Sequence, residues 1–294
     1  MTATVWEYIL YFFIYAFMGW MTEVVFAALR SHTLVNRGFL NGPVCPVYGF
    51  GMVAMLVLLG IHAKSPLVVF AVGVIVPTLV ELIAGALLYG LFHARWWDYS
   101  DKKFNIGGFI CLQFSLAWGA ASIFMVMVLH PPIARLVAAI PDTAQRVAGI
   151  VLLVIFAADV GVSAAEAIGL DRRLRQMDEL RTAMRKGSDL LTELVGGQAL
   201  TADELWDEGK LQLALARMES RDNAAEALAQ FQARRSEIMA RYKELTARFD
   251  RQRFFGAGRL LRAFPTLKSP EHSETLERLR RHLHGFGRGG WGRH

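Results

Sequence analysis

Three carboxylic acids lie inside long apolar segments of this chain, where their residue type could bind a solute or move a proton. Glu23, Glu81 and Asp159 belong to the first, third and last of these segments. At about 1.5 Å per residue, Glu23 lies roughly 9 Å from the end of its helix, and the other two lie roughly 18 Å in. A charge in hydrocarbon is costly unless it is paired or hydrated, so such residues indicate a functional site. Purely structural roles remain as alternatives: Glu23 pairs with Arg30 or Arg37, and Glu81 is protonated or hydrogen-bonded to Tyr or Trp.

The stretch NRGFLNGPVCPVYGFG at 36–51 crowds helix-breaking residues between two apolar segments. Glycine is conformationally free, proline lacks an N–H, and asparagine competes for backbone hydrogen bonds. Irregular backbone at membrane depth is tolerated where it is buried in protein or lines a water-filled cavity. We therefore predict a re-entrant or broken segment packed against Glu23, with Asn36, Arg37 and Asn41 as candidate cavity-lining residues.

A second unusual stretch, RWWDYSDKKFNIGG at 95–108, combines aromatic residues with Asp98 and Asn105. The aromatic residues are typical of a belt at the membrane interface. Asp98 is a candidate for binding a cation or for balancing the neighbouring lysines, and the balancing role is favoured for Asp101. Asp98 and Asn105 join the candidate cavity-lining residues.

Two cysteines, Cys45 and Cys111, each follow one of these stretches. Two thiols on an expected cytoplasmic face exclude a secreted disulfide framework, and a zinc site needs more Cys or His at close spacing. We predict no metal site; the thiols either pack or line the cavity. Because a Glu, an Asn-x-Gly, a Phe and a Cys recur in this order, a parallel duplication is one hypothesis, as some transporters have.

On the last apolar segment, Asp159 shares one helical face with Ser163 and Glu166, whereas small residues occupy nearly the opposite face. A helix with polar residues on one face and small residues on the other is typically enclosed by protein or water on both sides. We predict this for the last apolar segment.

Apolar segments of about 20 residues, long enough to cross a membrane, dominate the first part of the chain. They occur at 5–29, 66–93, 105–129 and 147–170, with a shorter glycine-rich fifth at 44–62. The sequence therefore predicts an all-α fold, a polytopic membrane helix bundle of about five spans.

Charge divides the chain in two. Up to Leu170, eight Lys and Arg face eight Asp and Glu, whereas the remainder has twenty-four against eighteen, which accounts for the whole net charge of +6. We predict a transmembrane domain at 1–170, a cytoplasmic helical domain at 171–284 and a disordered, basic, Gly-rich end at 285–294.

Lys and Arg also predict the orientation, because they concentrate in cytoplasmic connections. Five basic residues follow the first and third spans, whereas the opposite side carries three: Lys64, Arg135 and Arg146. We predict a multi-pass plasma-membrane protein with its N-terminus outside and its C-terminal domain in the cytoplasm. The N-terminal segment lacks a basic n-region and is interpreted as a span and not as a cleaved signal.

The tail has amphipathic helical periodicity. Apolar residues spaced by three and four from Leu170 to Met184 extend the last span into the cytoplasm, and a second stripe runs up to Phe249. Such stripes need an antiparallel bundle or self-association into a homo-oligomer. Four arginines are predicted to contact anionic lipid heads: Arg251, Arg253, Arg259 and Arg262. Acidic residues interleave the basic ones, which argues against nucleic-acid binding.

The sequence resembles the bacterial putative ABC-transporter type IV family in five strings. These are GWMTEVVF, NRGFLNGPVCPVYGFG, ELIAG, WWDYSDKKFNIGGFICLQFSLAWG and RLLRAFPTLKSPEH. The resemblance covers most of residues 15–125 and the tail motif at 259–272. It implies a multi-pass membrane protein of permease type, without a defined substrate or catalytic residue. Because the sequence contains no GxxxxGK[ST] nucleotide loop, it also implies a separate ATPase subunit. No cofactor is implied.

Three functions fit these observations. The favoured one is a permease-type transport component, in which Glu23, Glu81 and three asparagines surround a solute. The second is a scaffold that recruits partners through its tail. The third is a membrane enzyme acting on a lipid-linked substrate, for which the sequence holds no recognised catalytic motif. Its candidate acid, base, nucleophile and phosphate-binding residues are Asp98, Glu23, Cys45, Arg37 and Lys103.

Overall fold

The computed structural model describes residues 3–31, 35–60, 65–195, 225–252 and 256–285. It is all-α, as predicted, with 79% of residues helical. The chain divides into two compact units, one formed by Met1–Ile168 with Arg253–Glu271 and the other by Gly169–Gln252 with His272–His294. The segment 253–271 thus groups with the first unit, whereas the sequence-based domain ranges, which stay a prediction, assign it to the tail.

The elements of the first unit follow one another in a simple order. They are α1 (Val5–Ser31), α2 (Pro46–Leu59), α3 (Pro66–Phe92), a hairpin of β1 (Asn105–Ile106) and β2 (Ile110–Cys111), α4 (Leu112–Phe124), a π-helical turn (Met125–Leu129), α5 (His130–Ala138) and the first part of α6 (Asp142–Val195). The short helix α8 (Ala257–Ala263) completes the unit.

Within the described residues, four helical segments are long and apolar enough to cross a membrane: Val5–Leu29, Pro66–Phe92, Leu112–Ala138 and Asp142–Lys186. Helix α2 has 14 residues, fewer than the roughly 20 that a span needs, so the count of five spans stays a prediction. Large apolar side chains such as Leu67, Ile83 and Val154 are exposed on the outer faces, which suits contact with lipid.

One predicted span begins in the wrong place. The sequence suggests a span from residue 105, but Asn105 and Ile106 pair antiparallel with Cys111 and Ile110, and the helix begins only at Leu112. Gly107 and Gly108 have φ values of 58° and 74°, a left-handed conformation that glycine adopts without steric cost and that turns the chain into the hairpin.

Helices adjacent in sequence pack together: α1 with α2, α2 with α3, and α3 with α4. Prolines at the N-termini of α2 and α3, Pro46 and Pro66, lack only the N–H that a helix start leaves unpaired. The close approach of α3 and α4 depends on a glycine in α3. A Cβ at Gly73 of α3 would overlap Ser122 of α4 and would lie 3.3 Å from the Cα of Gly119.

The π-helical turn interrupts the helix between α4 and α5. Directly after it, His130 is followed by two prolines, which lack the N–H groups that would continue an α-helical ladder. The Tyr15 hydroxyl of α1 lies 2.8 Å from Nδ1 of His130. The first residue after the π-helical turn is thus in contact with α1.

The second unit contains the remainder of α6, α7 (Ala225–Arg251) and α9 (Ser273–Gly285). The predicted continuation of the last span as an amphipathic helix is confirmed, because α6 runs unbroken to Val195 and its apolar stripe is buried. His272 and Thr275 both bond to the Asp178 carboxylate of α6. The predicted disordered end lies almost entirely outside the described residues.

We predict that Gly73→Ala lowers the stability of the purified protein by about 1–3 kcal/mol, because the added methyl group overpacks the contact between α3 and α4. Gly90→Ala is the matched control, since a Cβ at Gly90 of the same helix meets nothing within 4 Å. Apparent melting temperatures in detergent measure both changes. Equal melting temperatures for the two variants would contradict the packing argument.

Candidate functional site

Glu23 is held on α1 between two side chains of the irregular stretch. The Tyr48 hydroxyl donates a hydrogen bond to Oε1 of Glu23 at 2.7 Å, and Nε of Arg37 lies 3.5 Å from Oε2. Tyr48 can approach because its ring packs over Gly19, where any Cβ would overlap it. The expected packing of this stretch against Glu23 is therefore confirmed, and Arg37 is its ion-pair partner. The side chain of the alternative partner Arg30 lies outside the described part of the chain.

Glu81 has a different environment: only 8% of its surface is exposed, whereas the Glu23 side chain is 31% exposed. The Tyr99 hydroxyl donates to Oε1 at 3.2 Å, and the Trp118 indole N–H donates to Oε2 at 3.3 Å. Of the two structural alternatives for Glu81, protonation or hydrogen bonds to Tyr or Trp, the hydrogen bonds are present. Both of these donors are neutral, so dipoles stabilise the Glu81 carboxylate, whereas a guanidinium pairs with Glu23.

Aromatic rings connect the two carboxylates. The Tyr48 ring meets the Trp118 ring edge to face, with centroids 5.4 Å apart. Burial raises the pKa of Tyr99, and the charges of Glu81 and then Glu23 raise it further, so both carboxylates act on one hydroxyl. We call this group the carboxylate cluster; it consists of Glu23, Arg37, Tyr48, Glu81, Tyr99 and Trp118.

Asp159 does not join the carboxylate cluster. Its two oxygens accept the backbone N–H groups of Asn41 at 3.0 Å and Gly42 at 2.8 Å. The Asn41 side-chain amide donates to Ser163 Oγ at 3.1 Å and to Glu166 Oε2 at 3.2 Å. Loop 36–44 therefore covers the polar face of α6.

The fit of this loop to α6 requires a glycine and an asparagine. A Cβ at Gly42 would lie 2.9 Å from Oδ2 of Asp159. Asn36 accepts the Trp20 indole N–H at 2.7 Å and donates to the Asn41 carbonyl at 2.8 Å, closing the loop on itself. The prediction that protein or water encloses both faces of α6 is confirmed for this polar face; for the opposite face, where Gly161 is exposed, it stays a prediction.

Arg259 of α8 completes the loop environment, and the sequence-based prediction for it is wrong. Only 2% of its surface is exposed, whereas contact with lipid heads requires an accessible guanidinium. Its two terminal nitrogens donate to the carbonyls of Gly38 at 2.7 Å and Phe39 at 2.8 Å. Burial lowers the pKa of Arg259, and the carboxylates of Glu166 and Asp159 oppose that shift.

The stretch at 95–108 is organised around Asp98. Lys268 donates to Oδ2 of Asp98 at 2.6 Å, and its backbone pairs with Arg95 in an antiparallel bridge. Burial would raise the pKa of Asp98, but hydrogen bonds from Lys268 and Ser100 lower it to about 2. Asp101 lies 3.5 Å from Lys102, which confirms its predicted balancing role.

Asn105 shapes the hairpin locally. Its amide donates to the Lys102 carbonyl at 2.8 Å, and its oxygen accepts the N–H of Gly108 at 3.2 Å. The aromatic residues of this stretch face protein partners: Trp96 packs edge to face on Phe39 and on Phe264 of the tail segment. Asp98 and Asn105 thus bind the chain itself.

Neither cysteine is in a disulfide. Burial, followed by the Glu23 charge, raises the pKa of Cys45 to about 12, so at neutral pH its sulfur is a thiol. Because the thiolate is the nucleophilic form, this environment argues against Cys45 as a catalytic nucleophile. Cys111 is buried in strand β2 of the hairpin. Within the described residues, no group of three or more His, Cys, Asp and Glu is arranged to hold a metal ion.

The ten candidate residues therefore separate into different environments. Glu23, Arg37 and Glu81 meet in the carboxylate cluster, Asn36 and Asn41 join Asp159 in the loop network, and the remaining residues line the hairpin or pack. Sequence reasoning assigned no role to the polar partners Tyr48, Trp118 and Lys268, and it assigned Arg259 the wrong one. All four lie within strings that carry the family resemblance, which is the signal that could have found them.

The family model described as "Putative ABC-transporter type IV" matches residues 10–164, more than half of the chain. The chain belongs to this family. The matched range contains both carboxylates of the cluster and the loop network except Glu166 and Arg259. Together with the apolar helices, it makes the chain a membrane protein related to transport. No curated protein and no solved structure matches it.

We predict that Cys45 in a Cys111→Ser background reacts slowly with maleimide at neutral pH. Its rate should keep rising about tenfold per pH unit between pH 7 and pH 10, because the thiolate fraction grows until the pH reaches the raised pKa. A small free thiol in the same buffer should level off near its ordinary pKa, about 8.5. A plateau for Cys45 below pH 9 would contradict a buried, proton-retaining thiol.

We predict that Lys268→Met destabilises the protein at pH 6, because Asp98 loses its charged partner. The loss should be only about 1 kcal/mol, because solvent partly screens the exposed Lys268 ammonium. Asp98 has a lowered folded-state pKa, so its contribution is present above the unfolded value, about 3.9, and is lost as pH falls toward 2. The difference from wild type should therefore shrink with acidification. Melting temperatures from pH 6 to pH 3 test this, with Lys103→Met as the control; a constant difference would contradict the assignment to Asp98.

Proposed function

We propose that this chain is a permease-type transport component and that its solute contacts the carboxylate cluster. The observation that carries the proposal is the pair Glu23 and Glu81, which lie on two separate membrane-type helices. Tyr48 and Trp118 donate hydrogen bonds to them, and the two donor rings are in contact. Carboxylates buried among apolar helices are typical of solute and ion pathways. The two other functions have less support, since Cys45 retains its proton and segment 256–271 belongs to the first unit.

Glu81 is the residue that we propose to exchange partners with the solute. Its recorded donors are the neutral groups of Tyr99 and Trp118, so a solute can replace them without separating an ion pair. Glu23 is paired with Arg37, and in this proposal it contributes to the electrostatic potential of the site without binding the solute directly. The solute class that fits is a cation or a neutral molecule rich in hydrogen-bond donors, because a carboxylate only accepts hydrogen bonds.

The arrangement in the membrane is part of the same proposal. The N-terminus lies outside, the chain passes several times through the plasma membrane, and the helical domain at 171–284 lies in the cytoplasm. A separate ATPase subunit supplies the energy, because the sequence has no nucleotide-binding loop of the GxxxxGK[ST] type. Crosslinking in native membranes, followed by purification, tests for this subunit; repeated recovery of the chain alone would count against it.

We predict that a panel of inorganic cations, amines and polyols contains a solute that stabilises the wild-type protein against heat. At a hundred times its Kd such a ligand adds about 2.7 kcal/mol. Glu81→Gln should lose most of this shift, because the amide cannot replace the charge of the carboxylate. The measurement is the ligand-dependent melting temperature in detergent.

Asp142→Asn is the matched control for this prediction. Asp142 is an exposed carboxylate at the start of α6, outside the cluster, so its variant should keep the full ligand-dependent shift. Equal shifts in wild type and Glu81→Gln would place the binding elsewhere. No stabilising solute across the whole panel would count against transport through this cluster.

A further inference from the structure

Arg259 makes contacts that a bound ligand would make. It is the largest fully buried side chain among the described residues, yet it belongs to a seven-residue helix far along the chain from the carbonyls that its guanidinium bonds. Its terminal nitrogens Nη1 and Nη2 donate separately to the carbonyls of two consecutive loop residues, Gly38 and Phe39. A planar guanidinium is the group that can reach two neighbouring acceptors with parallel donors.

Acidic groups complete the surroundings of this guanidinium. Oε2 of Glu166 lies 4.0 Å from Nη2 of Arg259, and Oε1 of Glu166 accepts the N–H of Gly256, which begins the segment. Asp159 meanwhile binds the N–H groups of Asn41 and Gly42. The loop thus presents carbonyls toward a cation and N–H groups toward an anion, with both charges supplied by other parts of the unit.

A second attachment holds the other end of the same segment. The backbone N–H and carbonyl of Lys268 pair with those of Arg95 at 2.9 Å and 2.7 Å. The Phe264 ring packs on Trp96 with centroids 4.9 Å apart. Segment 256–271 therefore connects loop 36–44 to the stretch that begins at residue 95.

We infer that the carbonyls of Gly38 and Phe39, with the Glu166 carboxylate, form a guanidinium-binding site that Arg259 fills as a tethered ligand. Segment 256–271, which we call the tail latch, thereby keeps loop 36–44 closed over α6. When Arg259 is removed, a free guanidinium ion occupies the same place and restores the closed loop. This inference is independent of the transported solute and of the carboxylate cluster.

In the test, the rate at which maleimide labels Cys45 measures how often loop 36–44 opens. It follows the loop directly, and its N–H donates to the Ala16 carbonyl of α1 at 2.9 Å. The chain has two cysteines, so Cys111→Ser leaves Cys45 as its single thiol. The full chain carrying this change is purified in detergent, and the rate of maleimide labelling at pH 8 is measured with and without Arg259→Ala.

We expect Arg259→Ala to raise the labelling rate by about tenfold or more, because a released loop opens more often. Guanidinium at millimolar concentration, far below its denaturing range, should return the rate to within about twofold of the parent. Urea is the neutral planar control and should not restore it. Arg251→Ala, which removes an exposed arginine of α7, should leave the rate unchanged.

Two results would overturn the inference. An unchanged labelling rate in Arg259→Ala would show that the loop stays closed without the guanidinium. A raised rate that guanidinium does not lower would show that Arg259 only packs there.

If Arg259→Ala is not recovered as a folded protein, Arg259→Gln, which keeps one planar amide donor, is measured in the same way. Recovery of Arg259→Ala only when guanidinium is present throughout purification would support the site.

Discussion

The first unit depends on one constraint: loop 36–44 cannot be buried unless its backbone polar groups find partners. Buried N–H and carbonyl groups without hydrogen bonds are costly, and an irregular loop cannot satisfy them within itself as a helix does. Here Asp159 accepts two N–H groups and Arg259 donates to two carbonyls. The glycine at 42 follows from the same fit, because any side chain there would displace the carboxylate.

The constraint also separates the three carboxylates of the apolar segments by role. Asp159 is engaged by the loop backbone and Glu23 by Arg37, whereas the recorded partners of Glu81 are neutral donors. Arg37 fixes Glu23 by an ion pair. Asp159 is fixed because two N–H groups of the irregular loop use its oxygens as acceptors. The general rule that intramembrane carboxylates indicate function therefore applies best to Glu81, with Asp159 as a structural counter-example in the same chain.

Local patterns predicted much of this architecture, but not the contacts of loop 36–44 with α6 and with Arg259. Apolar segment length and periodicity correctly predicted an all-α chain, the four long helices and the extension of α6. The hairpin at 105–111 was mistaken for the start of a span, because hydropathy weighs its apolar residues above the turn chemistry of Gly107 and Gly108. Arg259 could not be placed, since an arginine in a basic stretch predicts an exposed side chain and its acceptors lie about 220 residues away.

The same order of contacts occurs twice in the first unit. Helix α1 carries Glu23, an irregular loop follows, and Tyr48 of α2 donates back to that carboxylate. Helix α3 carries Glu81, a second irregular stretch follows, and Trp118 of α4 donates back in the same sense. In each half a cysteine directly precedes the returning helix. The tail latch contacts the connecting stretch of both halves, so one segment from the end of the chain holds corresponding parts of each. The two stretches that the latch contacts also carry Arg37 and Tyr99, the partners of Glu23 and Glu81, so the distant tail motif and the carboxylate cluster share the same two stretches.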